Sequence, residues 1–303
     1  MAGDTIWITG ATGLLGRALL QEFQGNFEGN TLGTGFSRAT GDIQELDLLD
    51  EKLVETYIAD NQPNFILHSA AERRPDISEK DPEQTNRLNV DTTRRLAELA
   101  KETGAWILYI STDYVFDGTK PPYQPGDVPN PLNHYGKSKL EGENVIRETT
   151  DNYAILRVPI LYGPVESLEE SAVTQIATLL RQDPIPPLEN WATRYPTHVG
   201  DVALVCRQMV EYRSYEEGFR GIFQWSGNEP FTKYEMGRLM APALDMDPDD
   251  IPPGPDHNVG TPRPQDCCLE TTGLESLGFG AQRDFAEAIR GILSGLPTVG
   301  TSA

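Results

Sequence analysis

T-I-W-I-T-G-A-T-G-L-L-G, residues Thr5–Gly16, decides the fold. Its first half is a short apolar run of strand-type residues, and its second half is a turn with glycines at 10, 13 and 16. Helical spacing follows at once, with Leu15, Ala18, Leu19 and Phe23 on one side. Strand, glycine turn and helix in that order make a dinucleotide cradle. Glycine allows the tight turn and a close backbone approach, and the pyrophosphate rests on the helix N-terminus. Gly10, Thr12, Gly13, Leu14, Leu15 and Gly16 are therefore candidate cofactor contacts.

Moving outward, the same grammar repeats. A second strand is predicted at Thr31–Phe36, followed by Ser37 and Arg38. An NAD site usually carries an acid about 20 residues past the glycines to hold the ribose 2′-hydroxyl. A hydroxyl and an arginine stand there instead, which favours a 2′-phosphate and hence NADP. Leu46–Leu49 predicts a third strand, with Asp47 and Leu48 beside the adenine. Glu51–Asn61 has helical periodicity, and N-F-I-L-H-S-A-A predicts a fourth strand whose Ala70 and Ala71 leave room for a cofactor. His68 reads as a packed strand residue, since no second metal ligand stands at useful spacing. Glu72, Arg73 and Arg74 are either a grip on a phosphate-bearing substrate or a solvated turn. Asp81–Thr103 predicts one long helix interrupted on its apolar face by Asn89, which either bonds the site backbone or is exposed. A sixth strand is predicted at Ala154–Leu161, where Arg157 and Pro159 are further cofactor candidates.

The fifth strand, W-I-L-Y-I, leads into the stretch that carries chemistry, Ser111–Lys139. It offers a hydroxyl (Ser111 or Thr112), the phenol of Tyr135 and the amine of Lys139. Tyr135 and Lys139 are four apart and share one helix face. A phenol titrates near ~10 when unperturbed. A neighbouring ammonium favours the phenolate and lowers that value, so the phenol can give its proton to a carbonyl oxygen.

These strand–helix alternations predict an α/β fold: a Rossmann-type doubly wound parallel sheet with a smaller C-terminal α/β substrate lobe. Residues 1–165 would form the NADP-binding lobe, with the chain returning to it around 195–225. Residues 166–303 would be mainly the substrate lobe, with a frayed tail from about 294.

The net charge of -21 and pI of about 4.5 argue against a nucleic-acid partner, which needs a basic footprint. No apolar run approaches the ~20 residues that span a bilayer, and the first residues lack the basic and apolar regions of a secretory signal. Cys206, Cys267 and Cys268 form neither a disulfide framework nor a zinc pattern, which suits a cytoplasmic setting.

The G-x-x-G-x-x-G turn, S-T-D-Y-V-F-D-G, P-L-N-H-Y-G-K-S-K-L-E-G-E and R-V-P-I-L-Y-G-P together resemble extended short-chain dehydrogenase/reductases of the dTDP-4-dehydrorhamnose reductase branch. A-A-E-R-R-P-D at 70–76, L-E-E-S-A-V-T at 168–174, P-T-H-V-G-D-V-A at 196–203 and W-S-G-N-E-P-F-T-K-Y-E-M at 225–236 resemble more closely the regulatory β subunits of methionine adenosyltransferase. That resemblance covers nearly the whole chain up to about Leu269. It implies an NADP-binding lobe and a Thr112–Tyr135–Lys139 triad. In that triad Thr112 bonds the substrate carbonyl, Tyr135 is the acid, and Lys139 holds the nicotinamide ribose. It also implies a methionine adenosyltransferase catalytic subunit as partner, with a nucleotide-linked 4-keto-6-deoxy sugar as the substrate of the reductase alternative. Two departures stand out. The resembled subunit carries an aromatic, basic C-terminal tail that inserts into the catalytic dimer, whereas no aromatic or basic residue follows Arg290 here. Cys267-Cys268 replaces the small polar residue that usually faces the sugar.

Overall fold

The computed structural model describes residues 3–295. Strands β1 (Thr5–Thr9), β2 (Asn30–Gly35), β3 (Ile43–Glu45), β4 (Phe65–His68), β5 (Trp106–Thr112), β6 (Tyr153–Val158), β7 (Leu161–Tyr162), β8 (Thr197–His198) and β9 (Gly221–Gln224) alternate with helices. The helices are α1 (Leu14–Asn26), α2 (Glu51–Asn61), α3 (Pro75–Lys80), α4 (Pro82–Asn86), α5 (Thr92–Thr103), α6 (His134–Thr149), α7 (Gln175–Leu180), α8 (Val199–Tyr215), α9 (Lys233–Met240), α10 (Thr272–Glu275) and α11 (Phe285–Ser294). Seven strands form one sheet in the order β3-β2-β1-β4-β5-β6-β9, with every neighbouring pair parallel. The order reverses at β1, which puts the glycine turn at the crevice where doubly wound sheets take their ligands.

Strand periodicity sets the two apolar layers. In β1, Ile6 and Ile8 point to the layer holding Leu19, Phe23, Val202 and Met209, where α1 and α8 pack. Trp7 points the other way, among Leu96, Ile107, Tyr109 and Ile146 under α2, α5 and α6. Burial on both faces is what a parallel sheet demands. The second lobe has its own core of Ile176, Leu180, Met236, Met240, Phe285 and Ile289. Its helix α9 opens on the capping box that Thr232 and Glu235 predict.

Some boundaries differ from the sequence reading. The third strand is Ile43–Glu45, not Leu46–Leu49. Asp47 instead accepts the Leu49 N–H at 2.9 Å, and this local turn competes with a sheet ladder. The predicted single helix at 81–103 is α4, a π-turn at Arg87–Asp91 and α5. The sixth strand stops at Val158, short of the predicted Leu161. The tail beyond residue 295 lies outside the described residues.

Candidate active site

At the carboxyl end of β1 the turn is built as a cradle. Gly10 takes a positive φ of 66° and packs against the Ala70 backbone. Gly13 is the N-cap of α1 and supplies no side-chain cap, and the first turn holds no acid. The leading N–H groups of Leu14, Leu15 and Gly16 are thus left to an anion. Thr12 is half-buried beside them. Ser37 and Arg38 are exposed just past β2, and Asp47 and Leu48 are half-buried after β3. Ala70 and Ala71 follow β4 after Ser69, half-buried. The donor set, neutral amides with guanidinium groups nearby, fits a phosphorylated dinucleotide.

The strand register sorts the two hydroxyls. Ser111 pairs with Arg157 across β5 and β6, and its Oγ donates to Glu143 Oε1 at 2.5 Å. Thr112 points to the opposite face. Its Oγ1 donates to Asp113 Oδ1 (3.0 Å) and accepts the Tyr114 N–H (3.2 Å), and the hydroxyl acts on the Tyr135 phenol. Thr112, not Ser111, therefore stands with Tyr135. Helix α6 is capped by Asn133, whose side chain accepts the Gly136 N–H at 2.9 Å and donates to the Pro262 carbonyl at 2.9 Å. That cap fixes Tyr135 in the first turn and ties the helix to the second lobe.

Burial pushes the Tyr135 phenol well above its ordinary value. Thr112 and the Arg73 guanidinium oppose that rise, while the Asp113 and Tyr114 charges add to it. The expectation that the amine would prime the phenol downward is thus corrected: desolvation dominates, and the leading favourable cation is Arg73. Lys139 is itself buried, which lowers it from 10.5 to about 7 although Glu143 works against this. Its Nζ stands 3.9 Å over the Tyr109 ring. Burial also lifts Asp113 to about 7, against the pull of Arg194 and Thr112.

Lys139 yields a pH prediction. The folded chain releases this proton near 7, whereas the unfolded chain keeps it to about 10.4. The unfolded state therefore binds more protons in that window, and the lysine makes stability rise with pH across it. Lys139→Met should remove this slope, so its gain in Tm over the parent should be largest at pH 6 and shrink toward pH 10. Equal Tm differences at both ends would refute it.

Asn89 is the residue whose alternatives the structure resolves. Buried in the π-turn, it accepts the Glu72 N–H (2.8 Å) and donates to the Glu72 carbonyl and to Ser138 Oγ (each 3.0 Å). It links the loop after β4 to α6. Glu72 in turn holds the Arg74 guanidinium through two bonds, at 2.8 and 2.6 Å, and its backbone N–H at 2.9 Å, and the Arg73 charge acts on Tyr135. His68 is packed as expected, between Thr9 at 2.9 Å and Thr93 at 3.0 Å.

Arg157 corrects the sequence reading. Its guanidinium turns inward to Glu143 at 2.9 and 2.7 Å and to the Pro125 carbonyl at 3.2 Å, so it supports the site's frame and is not available to a cofactor. Pro159 lies just past β6. Residues that escaped sequence reading line a cavity of about 280 Å³ in the second lobe, among them Trp191, Arg194, Lys233 and Arg263. Burial and its two arginine neighbours lower the Lys233 amine. Among the described residues no group of three or more His, Cys, Asp or Glu is placed to hold a metal ion, and no helix is long and apolar enough to cross a membrane.

A seven-stranded doubly wound sheet, a glycine turn at its switch point, Thr112 at the end of β5 and Tyr135 and Lys139 on α6 are the arrangement of the extended short-chain dehydrogenase/reductase class. The family described as RmlD substrate binding domain matches residues 4–297. "Methionine adenosyltransferase 2 subunit beta" of Bos taurus is 47% identical over 94% of this chain and 86% of its own length. A dTDP-4-dehydrorhamnose reductase of Aggregatibacter actinomycetemcomitans is 30% identical over 94% of this chain and 97% of its own. The solved dTDP-4-dehydrorhamnose reductase of Bacillus anthracis, in complex with NADP, superposes with a TM-score of 0.80 at 24% identity, covering 96% of this chain and 98% of that one. The chain belongs to the RmlD-like family, within its methionine adenosyltransferase 2 subunit beta branch.

Proposed function

We propose that this protein is an NADP-binding regulatory subunit of methionine adenosyltransferase that acts in S-adenosylmethionine biosynthesis by binding the catalytic subunit in the cytoplasm. The observation that carries this reading is likeness spread over 94% of the chain to relatives bearing that subunit's name. The cradle supports the cofactor. Gly10, Thr12, Gly13, Leu14, Leu15 and Gly16 would hold the pyrophosphate, and Ser37 and Arg38 the 2′-phosphate. Asp47 and Leu48 would lie by the adenine, Ala70, Ala71 and Pro159 along the cofactor, and Tyr135 with Lys139 at the nicotinamide ribose. The test is co-purification with a methionine adenosyltransferase catalytic subunit at micromolar concentration with NADPH present. A stable complex with an altered rate of S-adenosylmethionine formation is expected. Separate elution together with an unaltered rate would overturn the reading.

The retained Thr112–Tyr135–Lys139 group and the cationic second-lobe cavity favour a second reading, reduction of a nucleotide-linked 4-keto-6-deoxy sugar. NADPH, when bound, supplies a hydride. Tyr135 holds its proton firmly and would yield it to the carbonyl oxygen, Thr112 would position that oxygen, and Arg194, Lys233 and Arg263 would take the diphosphate. Tyr135→Phe separates the readings: complex formation should persist, while any sugar turnover should fall by about 10²–10⁴. Loss of the complex in a folded variant would count against the regulatory reading.

A further inference from the structure

Two acidic side chains occupy the arginines nearest the cradle. Arg17, the residue after the third glycine, donates through Nη1 to the Thr12 carbonyl at 2.9 Å and is thereby anchored to the turn. Its other hydrogen bonds go to the distant short 3₁₀ turn Leu168–Glu170: Nη1 to Glu170 Oε1 at 3.1 Å and Nη2 to Glu170 Oε2 at 2.6 Å. Arg38, past β2, reaches the same carboxylate with Nη1 2.5 Å from Oε1. Glu166 stands 3.4 Å from each guanidinium, and its backbone N–H donates to Glu170 Oε2 at 2.9 Å. The Glu170 side chain is only 10% exposed although it sits on a connecting segment. Burial alone would raise its carboxyl, but the bonds from Arg17, the Glu166 N–H and Arg38 outweigh it and hold the group at about 2.

We propose that Glu170, backed by Glu166, is a displaceable internal anion that stands in for a cofactor phosphate and is exchanged for it on Arg17 and Arg38 when the dinucleotide binds. The inference rests on the NADP reading above and adds Arg17 to the phosphate ligands. A guanidinium fork offers carboxylate and phosphate the same paired donors, so one anion can replace the other with little loss of hydrogen bonding. The cost falls on affinity, because only the fraction of molecules with Glu170 released is competent to bind. A cofactor with a 2′-phosphate brings a further charge to reclaim Arg38, whereas NADH does not, so the exchange sharpens the choice of cofactor.

Release of Glu170 also frees a segment tied to the second lobe. The next residue, Ser171, donates from Oγ to the Leu161 carbonyl at 2.6 Å and accepts the Val173 N–H at 3.0 Å, immediately before α7. Cofactor occupancy is thereby linked to the helix that carries Ile176 and Leu180 into the second-lobe core.

The test titrates NADPH and NADH calorimetrically into the full chain and its Glu170→Gln variant, and follows amide hydrogen exchange over residues 164–171 in the parent. Glu170→Gln should tighten NADPH by about tenfold, with a smaller gain for NADH, and NADPH should speed exchange in that segment of the parent protein. Unchanged or weaker NADPH binding by the variant, or slower exchange on binding, would overturn the exchange alone. A parent chain that binds neither dinucleotide would overturn the cofactor reading with it. The exchange measurement needs no variant, so a misfolded Glu170→Gln does not remove the test.

Discussion

Glu143→Ala should destabilise the protein by about 3–5 kcal/mol, the range for removing one partner of a buried ion pair. Glu143 and Arg157 have side chains only 1% and 2% exposed and share two bonds, at 2.7 and 2.9 Å. The carboxylate also takes the Ser111 hydroxyl and is the favourable charge acting on Lys139. Its removal strands a guanidinium, orphans a hydroxyl and pushes the lysine further toward its neutral form. Urea denaturation measures the loss. Replacing both partners with methionine should recover much of it, because an apolar pair leaves no buried charge uncompensated. A midpoint for Glu143→Ala equal to the parent's would show that the pair does not hold the two elements together.

Gly16→Ala should be nearly as severe and should also abolish dinucleotide binding. A Cβ at that position would lie 2.0 Å from the Gly10 carbonyl oxygen and 2.7 Å from Ala11 Cα, both backbone atoms with no rotamer to change. Overpacking of this kind costs up to about 3 kcal/mol. It would also open the turn whose N–H groups are proposed to hold the cofactor's pyrophosphate. Losing two charge-assisted bonds at roughly 1.5 kcal/mol or more each predicts NADPH binding at least about a hundredfold weaker. The control is Gly25→Ala on the same helix, where a Cβ meets nothing within 4 Å. It should gain about 0.5–1 kcal/mol and leave affinity alone. Parent-like binding by Gly16→Ala would mean that the turn is not the phosphate cradle.

Both effects show how far the sequence alone reaches. The glycine turn is local: strand, turn and helix are contiguous, and each residue's backbone demand is visible in its type. The placing of Tyr135 and Lys139 on one helix is equally local, since a spacing of four needs no knowledge of the rest of the chain. Glu143 escaped because its partner lies on a strand that reaches it only through the parallel register setting Ser111 beside Arg157. That register also explains the misreading of Arg157. A position near the end of a strand suggests a ligand, but alternation turned this side chain to the inner face. The Arg17–Glu170 contact spans 153 positions and leaves no periodic trace. The π-turn that aims Asn89 has no residue signature either; it becomes legible only once the Glu72 backbone is there to receive the amide.

The path of the chain after β6 has a consequence of its own. The polypeptide leaves the sheet, builds the core of the second lobe, and returns through α8 and β9 before leaving again. Val199, Val202, Cys206, Met209 and Trp225 share one apolar layer with Ile6, Leu19 and Phe65. Scissors placed at residue 165 would peel away more than a third of that layer and bare one flank of β6, so the nucleotide module is not excisable. The two lobes are knitted from one thread, and a ligand that loosens either tugs on a seam common to both.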